Sequence, residues 1–220
     1  MLNVEAVLHS SFCILHSAFC IQRFGGLRIV AASETLKRHT RPAHEALDAS
    51  LGALIAADPD HGIEVLLRAA LDVVPAWEAR LRSVAWPSTL DAARRLRKTE
   101  WLEQDLGESA GAAEAAAPIE PPEAWGTLYV FEGSTLGSAV IRRISSHRAR
   151  HSRYLAGYGD ETAAMWTRFK EHLDRAFSSR QDVTRAAAAA RRVFSEFSAA
   201  VERHGRSRPE SNRRSDQLRS

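Results

Sequence analysis

Cysteine is almost absent. Cys13 and Cys20 are the two in 220 residues and no Cys-x-x-Cys pair occurs, which excludes a disulfide framework or thiolate metal site and fits a reducing cytoplasm. No uninterrupted apolar run approaches the roughly 20 residues needed to cross a bilayer. Residues 1–30 are apolar in patches but broken by His, Ser and Gln, and they lack the basic start, clean apolar run and small-residue cleavage site of a secretory signal. Charge of one sign is scarce too: 30 basic against 27 acidic side chains leave a formal +3, part of it in the Arg- and Ser-rich stretch 205–220. A basic stripe interleaved with aromatics is missing, which argues against a nucleic-acid surface. Alternating β-branched runs, the signature of sheets, are missing as well. What remains, 45% hydrophobic and 26% charged residues, is the balance of a globular chain long enough for one well-buried core.

From Ser33 onward Ala, Leu, Arg and Glu dominate and apolar residues recur at three- and four-residue spacing, which predicts an all-α, single-domain fold. Ser33, with Glu34 after it, is the expected N-cap of a helix running through Leu36, Ala43, Leu47 and Leu51, which Asp58-Pro59-Asp60 and His61-Gly62 should end. A second helix is expected over 63–84, bent or divided at Pro75. A third is expected over 90–106 with Leu96, Trp101, Leu102 and Leu106 as a buried stripe, and a fourth from Pro121 or Pro122 to around His147. After the Gly157-Tyr158-Gly159 turn, helices are expected over 162–178 and 183–202. HSSFCILH and HSAFCIQ nearly repeat within residues 1–30, so that stretch is expected to be an extension outside a core domain of residues 31–204, with translation beginning downstream of Met1. Residues 205–220 are expected to be a disordered basic tail.

Two constellations stand out. In LKRHTRPAHEALD, Lys37, Arg41 and His44 lie at i, i+4 and i+7, which on a continuous helix puts two cations and an imidazole on one face. An anionic, metal-bearing ligand suits that face: a neutral imidazole can give iron an axial bond, and cations one and two turns back can meet carboxylates at the ligand's edge. On spacing alone the plainer reading, a half-buried histidine among solvated cations, stands beside it, and Pro42 would remove Lys37 from the face if it marked the helix's first turn. In LYVFEGSTLGS, Gly133 and Gly137 sit four apart in a helical pattern, each costing about 1 kcal/mol against alanine. Two positions without side chains let another helix or a flat ligand approach the backbone, and spacing does not choose between them.

Together the two segments resemble the haem oxygenase family, which pairs a proximal helix of the form LKxxTxxxHxxLD with a distal helix reading YVxEGSTLG. GYGDETAAMWTRF and RKTEWLEQDL are similar to the bacterial branch that supplies biliverdin to bacteriophytochromes, and the resemblance runs over about residues 33–202. It implies a helical bundle holding haem between the proximal and distal helices. His44 would be the iron ligand, Lys37 and Arg41 the propionate-side cations, and Gly133 and Gly137 the distal glycines. Tyr129 and Lys170 would contact propionates and Phe169 would pack on the porphyrin. Two departures stand out: Ser138 replaces the second glycine of the usual pair, and Ser134 stands where mammalian enzymes carry the acid that organises distal water, a task that backbone groups and ordered water can also perform.

The activity so implied is oxidative opening of haem at a meso carbon, giving biliverdin, iron and carbon monoxide, with haem as both prosthetic group and substrate, O2 as oxidant and electrons from outside. The chain has no flavin, nicotinamide or iron–sulfur motif, so a ferredoxin-like or flavin-dependent reductase is the expected partner, with a bacteriophytochrome as an acceptor of biliverdin. Arg142, Arg143, Arg148, Arg150 and Arg153 could dock an acidic donor, or be simply a solvated basic helix end. His147 and His151, four apart, have metal-binding spacing but arginines between them and no nearby carboxylate, and no role is assigned to them. A haem carrier or sensor of the same fold, or a helical relative that binds no haem, are the competing readings.

Overall fold

Residues 31–111, 117–142 and 147–206 are described by a computed structural model, so the expectations for residues 1–30, and for the tail beyond Arg206, lie outside the described residues. Nine α-helices, two 3-10 turns and no strand make up the described residues, as an all-α sequence requires. No helix among them is long and apolar enough to cross a membrane.

Helix α1, Ala32–Ala57, runs unbroken through Pro42, which therefore does not mark a first turn, and Lys37 keeps its place on the face of His44. Ser33 is not its cap. It lies inside the first turn, where its N–H and hydroxyl donate to Asp174 of a later helix at 2.7 and 3.1 Å. The Asp58-Pro59 stop works as a start as well: Asp58 accepts from the His61 N–H at 3.1 Å and Pro59 opens α2, Pro59–Arg82. Gly62 makes the reversal tight, since a Cβ there would lie 2.6 Å from the Ile55 backbone nitrogen. Helix α2 continues through Pro75 without dividing.

The expected third helix is in pieces: a 3-10 turn at Ser88–Leu90, a left-handed Asp91 (φ 55°), α3 at Ala92–Arg95 and α4 at Lys98–Leu106. Arg95 and Lys98 are buried at 1% and 2% exposure. Arg95 donates to Leu90 O at 2.7 Å and Met165 O at 3.1 Å and pairs with Glu132, while the Glu78 carboxylate accepts the backbone N–H groups of Lys98 (2.5 Å) and Thr99 (3.3 Å). A carboxylate from α2 thus satisfies the first-turn donors of α4, and the chain breaks where those bonds form. Leu96, Trp101 and Leu102 are buried as expected.

Helix α5, Pro121–Ile141, stops short of His147, and short helices α6 (His147–His151) and α7 (Arg153–Ala156) follow. Gly157 and Gly159 take positive φ (53° and 60°), which lets Tyr158 turn inward and donate to Glu132 Oε1 at 2.7 Å. Helix α8, Thr162–Ala176, and α9, Arg180–Arg206, complete the described residues, α9 reaching two residues into the stretch expected to be a tail. Helix α9 packs along α5, α1 and α2. Its approach to α5 depends on Gly126, where a Cβ would fall 2.0 Å from Ala186 O. Helices α1 and α5 both rest on α9 and leave a cleft between them.

Candidate active site

The cleft has a cavity volume of about 130 Å³ and opens to solvent. From α1 it takes Lys37, Thr40, Arg41, His44, Leu47, Asp48 and Leu51, a stripe at helical spacing. Helix α5 supplies the opposite wall from Tyr129 to Ile141, with Gly133, Ser134, Gly137 and Ser138 at its centre. Tyr154, Trp166, Phe194 and Phe197 close the space between the two. One wall is thus cationic with an imidazole, the other nearly bare backbone, and aromatic groups fill the ends.

His44 is half-buried, its ring edge-on to Phe194 with centroids 5.5 Å apart, and Asp48 Oδ2 lies 2.9 Å from its Nδ1. The contact is one of proximity without the alignment of a hydrogen bond, and it puts negative charge beside Nδ1. Lys37 and Arg41 bring positive charge one and two turns earlier on the same wall, Arg41 also pairing with Glu45 at 2.7 Å on the outer side.

A Cβ on Gly137 would meet nothing within 4 Å, and one on Gly133 only the edge of Trp166 at 3.9 Å, so neither serves helix packing and both face the cleft. Tyr129 lines the same wall beside Thr40, and burial pushes its phenol up to about 12. Such a wall admits a flat ligand close to the helix backbone. With His44 opposite, the donor set suits haem: a neutral nitrogen for the iron and cations for its anionic edge.

Two residues expected at the ligand lie elsewhere. Phe169 is fully buried one layer back, packed on Trp125 (5.9 Å) and Trp166 (5.6 Å), and Trp166, three residues earlier on α8, forms the wall instead. Lys170 is partly exposed with its Nζ 5.8 Å from the Trp166 ring centroid and does not line the cleft. Sequence reasoning named none of Trp166, Phe194 and Phe197 as a site residue. The i, i+3 spacing of Phe194 and Phe197 on α9 was the available signal, but it equally describes a core stripe.

Behind α5 lies a charged layer that the sequence did not reveal. Glu132 joins Arg95 and Tyr158, and Lys98 Nζ donates to Thr135 Oγ1 at 2.6 Å. Burial lowers the Lys98 ammonium below its ordinary value, partly opposed by Glu132 and Glu78. Elsewhere, the His147 and His151 rings stack at 4.2 Å, and no group of three or more potential ligands that could hold a metal occurs among the described residues. Of the expected basic patch, Arg148 lies 3.5 Å from Glu64, Arg153 turns back to Gly157 O at 2.9 Å, and Arg143 lies outside the described residues.

The model of the heme oxygenase family matches residues 30–203. A protein described as heme oxygenase from Xanthomonas campestris pv. campestris (strain 8004) is 34% identical over 109 residues, which is 46% of this chain and 65% of that relative's length. No solved structure matches the chain. The family match takes in all the helices that wall the cleft, save the last three residues of α9, and the chain belongs to the heme oxygenase family.

Proposed function

We propose that the protein is a haem oxygenase that opens haem at a meso carbon to biliverdin, ferrous iron and carbon monoxide, consuming O2 and electrons delivered from outside. The observation that carries the reading is the pair of glycines facing open space across the cleft from His44.

Haem, as the substrate, brings the iron chemistry that activates oxygen beside the carbon to be attacked. The chain's own residues bind and orient it. His44 would offer Nε2 to the iron with the Asp48 carboxylate beside Nδ1, and a neutral imidazole pushes electrons toward the iron less than a thiolate would. Lys37 and Arg41 take the propionates and so decide which edge of the ring enters the cleft, with Tyr129 as a neutral hydrogen-bonding group on the facing wall. Gly133 and Gly137 leave room above the plane and let backbone crowding direct attack to one meso position. Trp166, Phe194, Phe197 and Leu47 exclude bulk water from the ring faces. The electron donor in this reading is a ferredoxin-like or flavin-dependent reductase meeting the basic end around Arg142, Arg148 and Arg150. The setting is the cytoplasm, and a bacteriophytochrome is the acceptor of biliverdin.

The test is an absorption titration with hemin followed by reductant in air. Expected are a shifted Soret band at one equivalent and, on reduction, its loss with growth of a broad red biliverdin band; His44→Ala should remove the axial-ligand signature. A stable Soret band under a competent reductant would leave a haem carrier or sensor, and no Soret shift would overturn the assignment of His44.

A further inference from the structure

Five hydroxyl side chains line the cleft, and three of them direct their protons into their own helices: Thr40 donates to Leu36 O at 2.8 Å, Ser134 to Phe131 O at 2.8 Å and Ser138 to Ser134 O at 2.9 Å. These back-bonds satisfy both partners and leave the hydroxyl oxygens only acceptor capacity toward a ligand. The two tyrosines are different. Tyr129, on α5, reaches toward Thr40 of α1 and stands within the field of Glu34. Tyr154 stands beside Ser134, the residue after Gly133. Because the Ser134 proton is engaged by Phe131 O, Ser134 can only accept from the Tyr154 phenol. Among the cleft hydroxyls, Tyr154 is therefore the one at the glycine centre with a proton to give.

Its position is fixed by a built support. Asp105 of α4 accepts from the backbone N–H of Tyr154 at 2.9 Å, from that of Arg153 at 2.6 Å and from the Ser152 hydroxyl at 2.6 Å. The residue is 6% exposed. The backbone that carries the donor is thus fixed, and only the hydroxyl proton has to turn from Ser134 when a ligand arrives. Burial also pushes its phenol up to about 12, so it keeps its proton across the physiological range.

We propose that the Tyr154 hydroxyl is the hydrogen-bond donor to a small ligand bound to the haem iron on the α5 side, with Ser134 as the acceptor that holds its proton when no ligand is present. The role rests on the haem reading above. It gives the position taken here by Ser134 a donor from a neighbouring helix in place of an acid on α5 itself.

Carbon monoxide on the ferrous haem is the probe, because a hydrogen bond to its oxygen lowers the C–O stretching frequency read by infrared spectroscopy. Tyr154→Phe removes the donor and should shift the stretch upward. Ser134→Ala removes the competing acceptor and should shift it downward. Hemin titration of each variant comes first, with Soret position and stoichiometry expected to match the unmodified protein. A failure of the unmodified protein to take up hemin would sink the haem reading and this role with it. Intact hemin uptake with an unmoved stretch in Tyr154→Phe, or a shift produced by Tyr129→Phe instead, would overturn the Tyr154 assignment alone. Should Tyr154→Phe not fold, Ser134→Ala decides: a downward shift supports the role, and an unchanged or raised frequency ends it.

Discussion

Gly126, Gly133 and Gly137 occupy one helix and meet different surroundings, so the same substitution should have opposite effects along it. At Gly137 a methyl group has open space, and alanine should stabilise the haem-free protein by up to about 1 kcal/mol through helix propensity while narrowing the cleft. At Gly126 the methyl carbon would fall 2.0 Å from Ala186 O, so alanine must push α9 off α5 at a cost on the order of 1–3 kcal/mol or more. Urea unfolding without haem should show Gly137→Ala at or above the unmodified midpoint and Gly126→Ala well below it; the reverse order would contradict the packing described. The spacing of Gly133 and Gly137 was visible in the sequence. The need for Gly126 was not, because a glycine's use depends on what passes over it, and Ala186 is distant in the chain. Phe169 and Trp166 differ for a similar reason: a motif gives the turn of helix, and packing decides which of two aromatics on it reaches the ligand.

Among the elements, the long helices were legible from their apolar periodicity, and the broken stretch between α2 and α5 was not. Arg95 and Lys98 are buried charges whose partners, apart from Leu90 O close by, come from Glu78, Glu132, Thr135 and Met165, all remote in sequence. Glu132→Ala would strand the Arg95 guanidinium in the interior and should cost about 3–5 kcal/mol. Glu161→Ala, which breaks the Arg94 pair with side chains 38% and 55% exposed, should leave the midpoint nearly unmoved. Denaturant midpoints of the two variants measured side by side check this, and equal losses would mean that the Arg95–Glu132 pair is not buried in solution. Loss of Glu132 should also weaken hemin binding, because it releases the α5 segment that carries Gly133.

For the molecule as a whole, the three tyrosines of the chain are all buried, and they set its behaviour in alkali. An exposed tyrosine ionises near pH 10. Burial pushes Tyr129 and Tyr154 up to about 12, and burial together with the Glu132 carboxylate takes Tyr158 higher still. The folded state thus holds protons that the unfolded chain releases above about pH 10. The stability these groups contribute is complete below that pH and is lost as pH rises through about 12. An ultraviolet titration should show no tyrosinate while the helical circular dichroism persists, then ionisation and unfolding together. A tyrosine that titrates near pH 10 in the intact fold would show that one of the three is open to water.

The cleft draws its walls from α1, α5 and α9, so the parts of the binding site leave the ribosome far apart in time, at roughly 5–20 residues per second. His44 emerges early and both cleft glycines midway, but Phe194 and Phe197 come only with α9. A chain halted before Arg180 would carry His44 and the glycine face of α5 and still present an open-sided trough. Hemin uptake during translation should therefore lag until α9 is released, which makes loading with haem a check that the chain has been made through that helix.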